Sequence, residues 1–151
     1  MAEYITTSDN LVALNGTIPF NSVSIPCNTG NVVPIAPGIL NLKGNTPNKF
    51  ARYRVTLQAN VQIPDGGALS AIALGIAVNG AVLPESVAII TPQATGEYNH
   101  ISVSVPITVP SGCCLTVSAH YVDGTEDDAT TTPTPSILVR RDASISVTRV
   151  A

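Results

Sequence analysis

The run Arg52 to Ile63, RYRVTLQANVQI, leaves this chain few choices of fold. Taken in twos, Tyr53, Val55, Leu57, Ala59, Val61 and Ile63 fall on one side. Arg52, Arg54, Thr56, Gln58, Asn60 and Gln62 fall on the other. Successive side chains of a strand point to opposite faces, so the run has one dry face and one wet face. A helix, with its period of about 3.6 residues, would scatter the same residues around its surface. The pattern predicts a long β-strand.

His100 to Val109 repeats it. Ile101, Val103, Val105, Ile107 and Val109 alternate with His100, Ser102, Ser104, Pro106 and Thr108. Two half-buried strands of this length need a second layer over their apolar faces, which predicts a sandwich or a barrel. Further strands are expected at Gly38–Lys43, across SAIALGIAV to Val78, at Val87–Ile90, at Cys114–Val122, at Ile137–Val139 and at Ala143–Val150, with a short one around Val32–Ile35. Asn15-Gly16 marks a hairpin or a sharp bend, Asn79-Gly80 a hairpin, and Pro64-Asp65-Gly66-Gly67 and Ser111-Gly112 turns. In the 68–78 stretch Ile72, Leu74, Ile76 and Val78 line one face, and Ala71, Ala73, Gly75 and Ala77 the other. Both faces are apolar, so the strand is expected to be buried on both, with another layer or another chain close to the small residues. The whole describes an all-β jelly-roll sandwich of about eight to ten antiparallel strands.

At 151 residues the chain fits one domain of the common size, ~100–200 residues. Residues 1–10 are polar and read as an arm, with the domain spanning 11–151. Charged residues are 11% of the chain, against an average of ~25%. A chain so poor in charge either buries surface against a partner or copies of itself, or carries a bland uncharged exterior; burial in an oligomer is the favoured expectation. The net charge of −3 gives no electrostatic reason to expect nucleic acid or an anionic membrane as partner. Lys43, Lys49, Arg52 and Arg54 cluster as a solvated face or as ion pairs between subunits. The opening MAEYITTSDN has neither a basic n-region nor an apolar h-region, which predicts synthesis in a cytoplasm without Sec export. The longest apolar run, Ala68 to Val78, is too short to span a bilayer.

Chemistry has few candidates. His100 and His120 sit on polar strand faces and read as surface histidines, with no GxSxG, P-loop or GxGxxG motif in the chain. Cys113 and Cys114 are neighbours on a strand and point apart, so with Cys27 they read as buried thiols, and no spaced pair suits zinc. Asp123, Glu126, Asp127 and Asp128 lack the spacing of an EF-hand loop and read as a solvated acidic loop. Tyr98, Tyr121 and nearby asparagines would make a sugar-binding surface, but aromatics are only 4% and tryptophan is absent. The residues give no catalytic site, no cofactor and no metal site.

The strings NGTIPF, ARYRVTLQANVQIP, ALGIAVNGAVLP, ISVSVPITVPSGCCLTV and ISVTRVA resemble small TNF/C1q-like jelly rolls encoded by tailed phages, and the globular heads of spore-surface filaments. The resemblance covers roughly Leu11 to Ala151 and departs from the family at the EDDATTTPTP insertion. It implies a homotrimer in which apolar residues of the inner sheet pack about a threefold axis. Tyr53, Val55, Leu57, Ile101, Val103, Val105, Ile145 and Val147 are then the interface candidates. It also implies a non-enzymatic virion protein, a head fibre or capsid decoration, attached to capsid proteins through Ala2, Glu3, Tyr4 and Ile5. The alternatives are a receptor module holding a host-surface glycan on loops such as Asp123–Ser136, and a spore-surface head, against which the missing Gly-X-Y tract counts.

Overall fold

The alternating run becomes β6, Phe50–Gln62, and its buried residues are the odd-numbered apolar ones from Ala51 to Val61. The computed structural model describes residues 1–112, 114–124 and 134–151. Before β6 come β1 (Ala2–Ile5), β2 (Asn10–Ala13), β3 (Ser22–Ile25), β4 (Val32–Ala36) and β5 (Ile39–Lys43). After it come β7 (Ile72–Val78), β8 (Ala81–Val82), β9 (Ala88–Ile90), β10 (Asn99–Pro110), β11 (Cys114–Asp123), β12 (Ser136–Val139) and β13 (Ser144–Arg149). A single 3-10 turn, Pro84–Ser86, interrupts them among the described residues.

The strands form two antiparallel sheets. The first runs β2-β12-β6-β13-β1-β3, with β10 on the other edge of β6; the second runs β4-β5-β11-β7, with β8 and β9 both on β7. The two strands with matching patterns are partners: β10 pairs with β6 from Asn99↔Val61 to Pro110↔Phe50. Among the described residues β10 pairs with β6 alone, and it carries Pro106 and Pro110. A proline cannot donate to a ladder, so it is tolerated on an edge strand and blunts that edge against further pairing. On the opposite edge of β6, β13 covers Tyr53 to Gln58, and β12 follows at Val61 and Gln62.

One core lies between the sheets. Val55, Leu57, Val61, Leu74, Ile76, Val117, Tyr121, Ile137 and Ile145 are all wholly buried in it. Each such aliphatic side chain contributes about 1.5–3 kcal/mol by leaving water. Tyr121 and Tyr53 bring hydroxyls into this core and satisfy them on Thr134 O at 2.7 Å and Lys43 O at 2.6 Å.

The small-residue face of β7 is covered by the chain itself. Asn79 and Gly80 take positive φ of 52° and 85° and close the β7–β8 hairpin expected there. The chain then folds back over β7: a Cβ on Gly75 would meet Val82 Cγ1 at 2.8 Å and Val87 Cγ2 at 3.3 Å. Ser86 fastens this strap, accepting from Ile76 N at 2.8 Å, while its hydroxyl lies 2.7 Å from Leu83 O and 3.1 Å from Ile76 O. Asn15-Gly16 is the bend of its two readings. Asn15, at φ 65°, takes the chain from β2 in the first sheet to the second, where Ile18 N donates to Ala119 O at 2.9 Å.

Three expectations need correction. Residues 1–10 are not a separate arm: Ala2–Ile5 is a strand with β13 on one side and β3 on the other, and Ala2 and Tyr4 are buried in the common core. Tyr53, Val55, Leu57, Ile101, Val103, Val105, Ile145 and Val147 face the second sheet of their own chain, 7% exposed or less, so none is available to pack about an axis. The thiols are not all buried, since Cys114 is exposed and Cys27 half-exposed; Cys113 lies outside the described residues.

Candidate functional site

With the dry face of the first sheet occupied, the outer face is what the molecule presents. Register sets it out in rows. Ser102, Gln58 and Ser144 lie side by side across β10, β6 and β13; Ser104, Thr56 and Ser146 form the next row, and Pro106, Arg54 and Thr148 the one after. The Ser104 row continues through Glu3 on β1 to Ile25 on β3. The even positions of β6 put Thr, Gln and Asn here, which is why the face is polar and almost without charge; Arg52, Arg54 and Glu3 are its charged members on β6, β10, β13 and β1.

Hydrogen bonds fix parts of it. Arg54 Nη1 donates to Ser104 Oγ at 3.1 Å, and Ser104 Oγ lies 3.2 Å from Thr56 Oγ1. Asn60 bridges His100, at 3.2 Å, and Asp142, at 3.2 Å. Exposed apolar groups gather at one edge of the sandwich, where β3 of the first sheet and β4 of the second lie. Val23 and Ile25 on β3 and Ile35 on β4 are 51%, 39% and 57% exposed, and a groove of about 300 Å³ beside them is lined by Tyr4, Phe20, Pro34 and Ile35. At the β9 edge Ile89 is also exposed.

The other candidates separate. His100 is exposed on the outer face, as expected. His120 is half-buried under the crossing at Thr17, with its Nε2 2.8 Å from Ser118 Oγ and its Nδ1 3.3 Å from Asn15 O. The Ser–His contact lies within β11, while the Asn15 contact ties the ring to the Asn15–Thr17 segment, and Ser118 is itself buried. Tyr98 and Tyr121 do not share a surface: Tyr121 is wholly buried, and Tyr98 is 38% exposed. Burial pushes the Tyr121 phenol up to about 12, with the Asp123 carboxylate adding to it. The acidic residues Glu126, Asp127 and Asp128, and most of the Asp123–Ser136 loop, lie outside the described residues. Among the described residues no group of three His, Cys, Asp or Glu could hold a metal ion, and no helix is long and apolar enough to cross a membrane.

Cys27 is not the inert thiol that the sequence suggests. Burial pushes its thiol up, but hydrogen bonds from the Thr29 hydroxyl and from the Val32, Thr29 and Asn31 backbones outweigh it and hold the group at about 7. Its sulfur lies 3.4 Å from Thr29 Oγ1, at a recess of about 110 Å³ that Tyr53 and Arg149 also line. The sequence carries no sign of this, because most of the stabilising groups are main-chain amides.

No protein-family model matches the chain, and no curated protein matches it by sequence. Solved structures do match by shape. The globular domain of zebrafish complement 1qA protein superposes with a TM-score of 0.58, at 9% identity, over 99% of this chain and 96% of that one. The structure of Eiger TNF from S. frugiperda superposes with a TM-score of 0.61, also at 9% identity, over 99% of this chain and 91% of that one. The fold is therefore the TNF/C1q-like jelly roll over essentially the whole length, including β1.

Proposed function

We propose that this chain is a non-enzymatic, homotrimeric virion surface protein, a head fibre or capsid decoration of a tailed phage, made in the host cytoplasm. The carrying observation is the outer face of the first sheet: broad, hydroxyl- and amide-rich, nearly uncharged, and ending at edge strand β3 with its exposed Val23 and Ile25. Such a face loses little by leaving water against a matching surface, because its polar groups can pair across the contact and few charges need compensation. Clustered exposed aliphatics mark protein contact sites. The trimer axis then runs along the β6–β10 side of this outer face, leaving the β1–β3 side free, and not through the core residues that the family resemblance implies.

The phage role follows from the resemblance of the strand and turn strings, and capsid attachment is proposed through the part of β1 that the core leaves available. Of Ala2, Glu3, Tyr4 and Ile5, the first and third are buried, so Glu3 and Ile5 are the residues that a capsid protein could reach. Co-sedimentation of the purified chain with capsids lacking it tests this. Glu3→Lys with Ile5→Glu is expected to abolish co-sedimentation while the circular dichroism stays that of a β-sandwich. Undiminished coating by this variant would refute attachment through β1.

A further inference from the structure

We infer that Tyr98, His100, Asn60, Arg140 and Asp142 form a binding site for a neutral saccharide. Three parts of the chain distant in sequence meet here, at the end of the first sheet where β6 finishes, β10 begins and the β12–β13 turn crosses. Asn60 stands opposite His100 in the β6–β10 ladder, with its Oδ1 3.2 Å from the ring Nδ1. Its Nδ2 donates to Asp142 Oδ2 at 3.2 Å, and the same oxygen lies 3.6 Å from Arg140 Nε. The Arg140 guanidinium sits over the Tyr98 ring, with Cζ 5.7 Å from its centroid. The amide orientation of Asn60 makes His100 Nδ1 the donor of its contact.

The cluster is held ready and left open. Arg140 N donates to Asn60 O at 2.9 Å, and Arg140 O accepts from Thr6 Oγ1 at 3.2 Å and from Ala143 N at 3.2 Å. Arg141 N donates to Asp9 Oδ1 at 2.9 Å, so the turn is pinned at successive residues. The side chains nevertheless remain accessible: Arg140 is 46% exposed, Asp142 47% and Tyr98 38%. Exposed ion pairs contribute little to stability, so the fold does not need this arrangement. A site fixed before binding loses less freedom when a ligand arrives.

The chemistry selects the ligand class. A pyranose has an apolar C–H face and a rim of hydroxyls that both donate and accept. The exposed part of the Tyr98 ring suits the first, and a carboxylate, an amide, an imidazole and a guanidinium in one network suit the second. Both close contacts of Asp142 fall on Oδ2, which leaves Oδ1 to accept from a hydroxyl. Arg140 and Asp142 cancel in charge, so an anionic ligand would have to break their pair, and a neutral one would not. The site is complete within one chain, at the end of the sheet beyond the Ser102 row.

The test is an amide-shift titration of the ¹⁵N-labelled full chain with methyl glycosides of glucose, galactose, mannose, fucose, N-acetylglucosamine and N-acetylgalactosamine. At least one is expected to move the amides of Asn60, Tyr98, His100 and residues 140–142. Tyr98→Ala and Asp142→Asn should each weaken it about tenfold, the scale of one charge-assisted hydrogen bond or one stacked ring, while Ser102→Ala leaves it unchanged. The dispersion of the same spectra reports that each variant is folded. Silence from all six glycosides would overturn the assignment. So would shifts that map elsewhere, binding by both variants equal to that of the unmodified chain, or tighter binding of the methyl glycoside of anionic N-acetylneuraminic acid, titrated alongside as the comparison.

Discussion

Cys27 and Tyr121 are displaced in opposite directions, and each can be tested alone. The Cys27 thiol is held at about 7 instead of 9.0, so it is about half thiolate at neutral pH. Its alkylation rate by iodoacetamide should level off just above neutrality, as the thiolate is the reacting form. A rate that keeps climbing through pH 9 would mean an unperturbed thiol. Because the folded value is depressed, the group's contribution to stability is present above pH 9 and is lost as pH falls through about 7. Tyr121 donates a buried hydrogen bond of 2.7 Å to Thr134 O, and Tyr121→Phe removes it without opening a large cavity. Urea unfolding should show a loss of about 0.5–1.5 kcal/mol, the net worth of one such bond.

The strap over β7 is the element on which sequence and structure agree most closely. The alternation Ala73, Gly75, Ala77 announces that something approaches that face, and Asn79-Gly80 announces the hairpin that brings it. The choice between a second layer and a second chain is not open to sequence, because small residues report only closeness. Ser86→Ala leaves the Ile76 N–H without its partner in a buried place, and should cost about 1–3 kcal/mol by the same unfolding measurement. β1 escapes sequence reasoning for a related reason. It is only four residues long, and its outward Glu3 makes the first ten residues look polar, although Ala2 and Tyr4 alternate with it. A strand this short declares itself only through its partners, here β13 and β3.

For the whole molecule, the long strands β6 and β10 are legible to within two residues at their ends, down to which residues are dry, because a period of two survives any arrangement of the sheets. What the dry face packs against is not legible. A row of Val and Ile is the same text whether it meets the second sheet of its own chain or a neighbour at an axis, so the interface implied by the resemblance falls on residues that the second sheet already covers. The site at Tyr98 is invisible for the opposite reason, since Asn60, His100 and Asp142 meet only through sheet pairing and a turn. Core and contact can now be separated by mutation. Leu57→Ala should lose about 2–5 kcal/mol of stability through the cavity it leaves. Thr56→Lys, one residue away on the outer face, should keep the fold and break the assembly by placing copies of one charge against each other.

The absolute mass of the purified chain, by light scattering on a sizing column, bears on the assembly before anything else. A trimer packed through the outer face predicts the mass of three 15.6 kDa chains, falling to that of one chain in Thr56→Lys. A single-chain mass for the unmodified protein would contradict it, and would make the uncharged outer face a plain solvent surface.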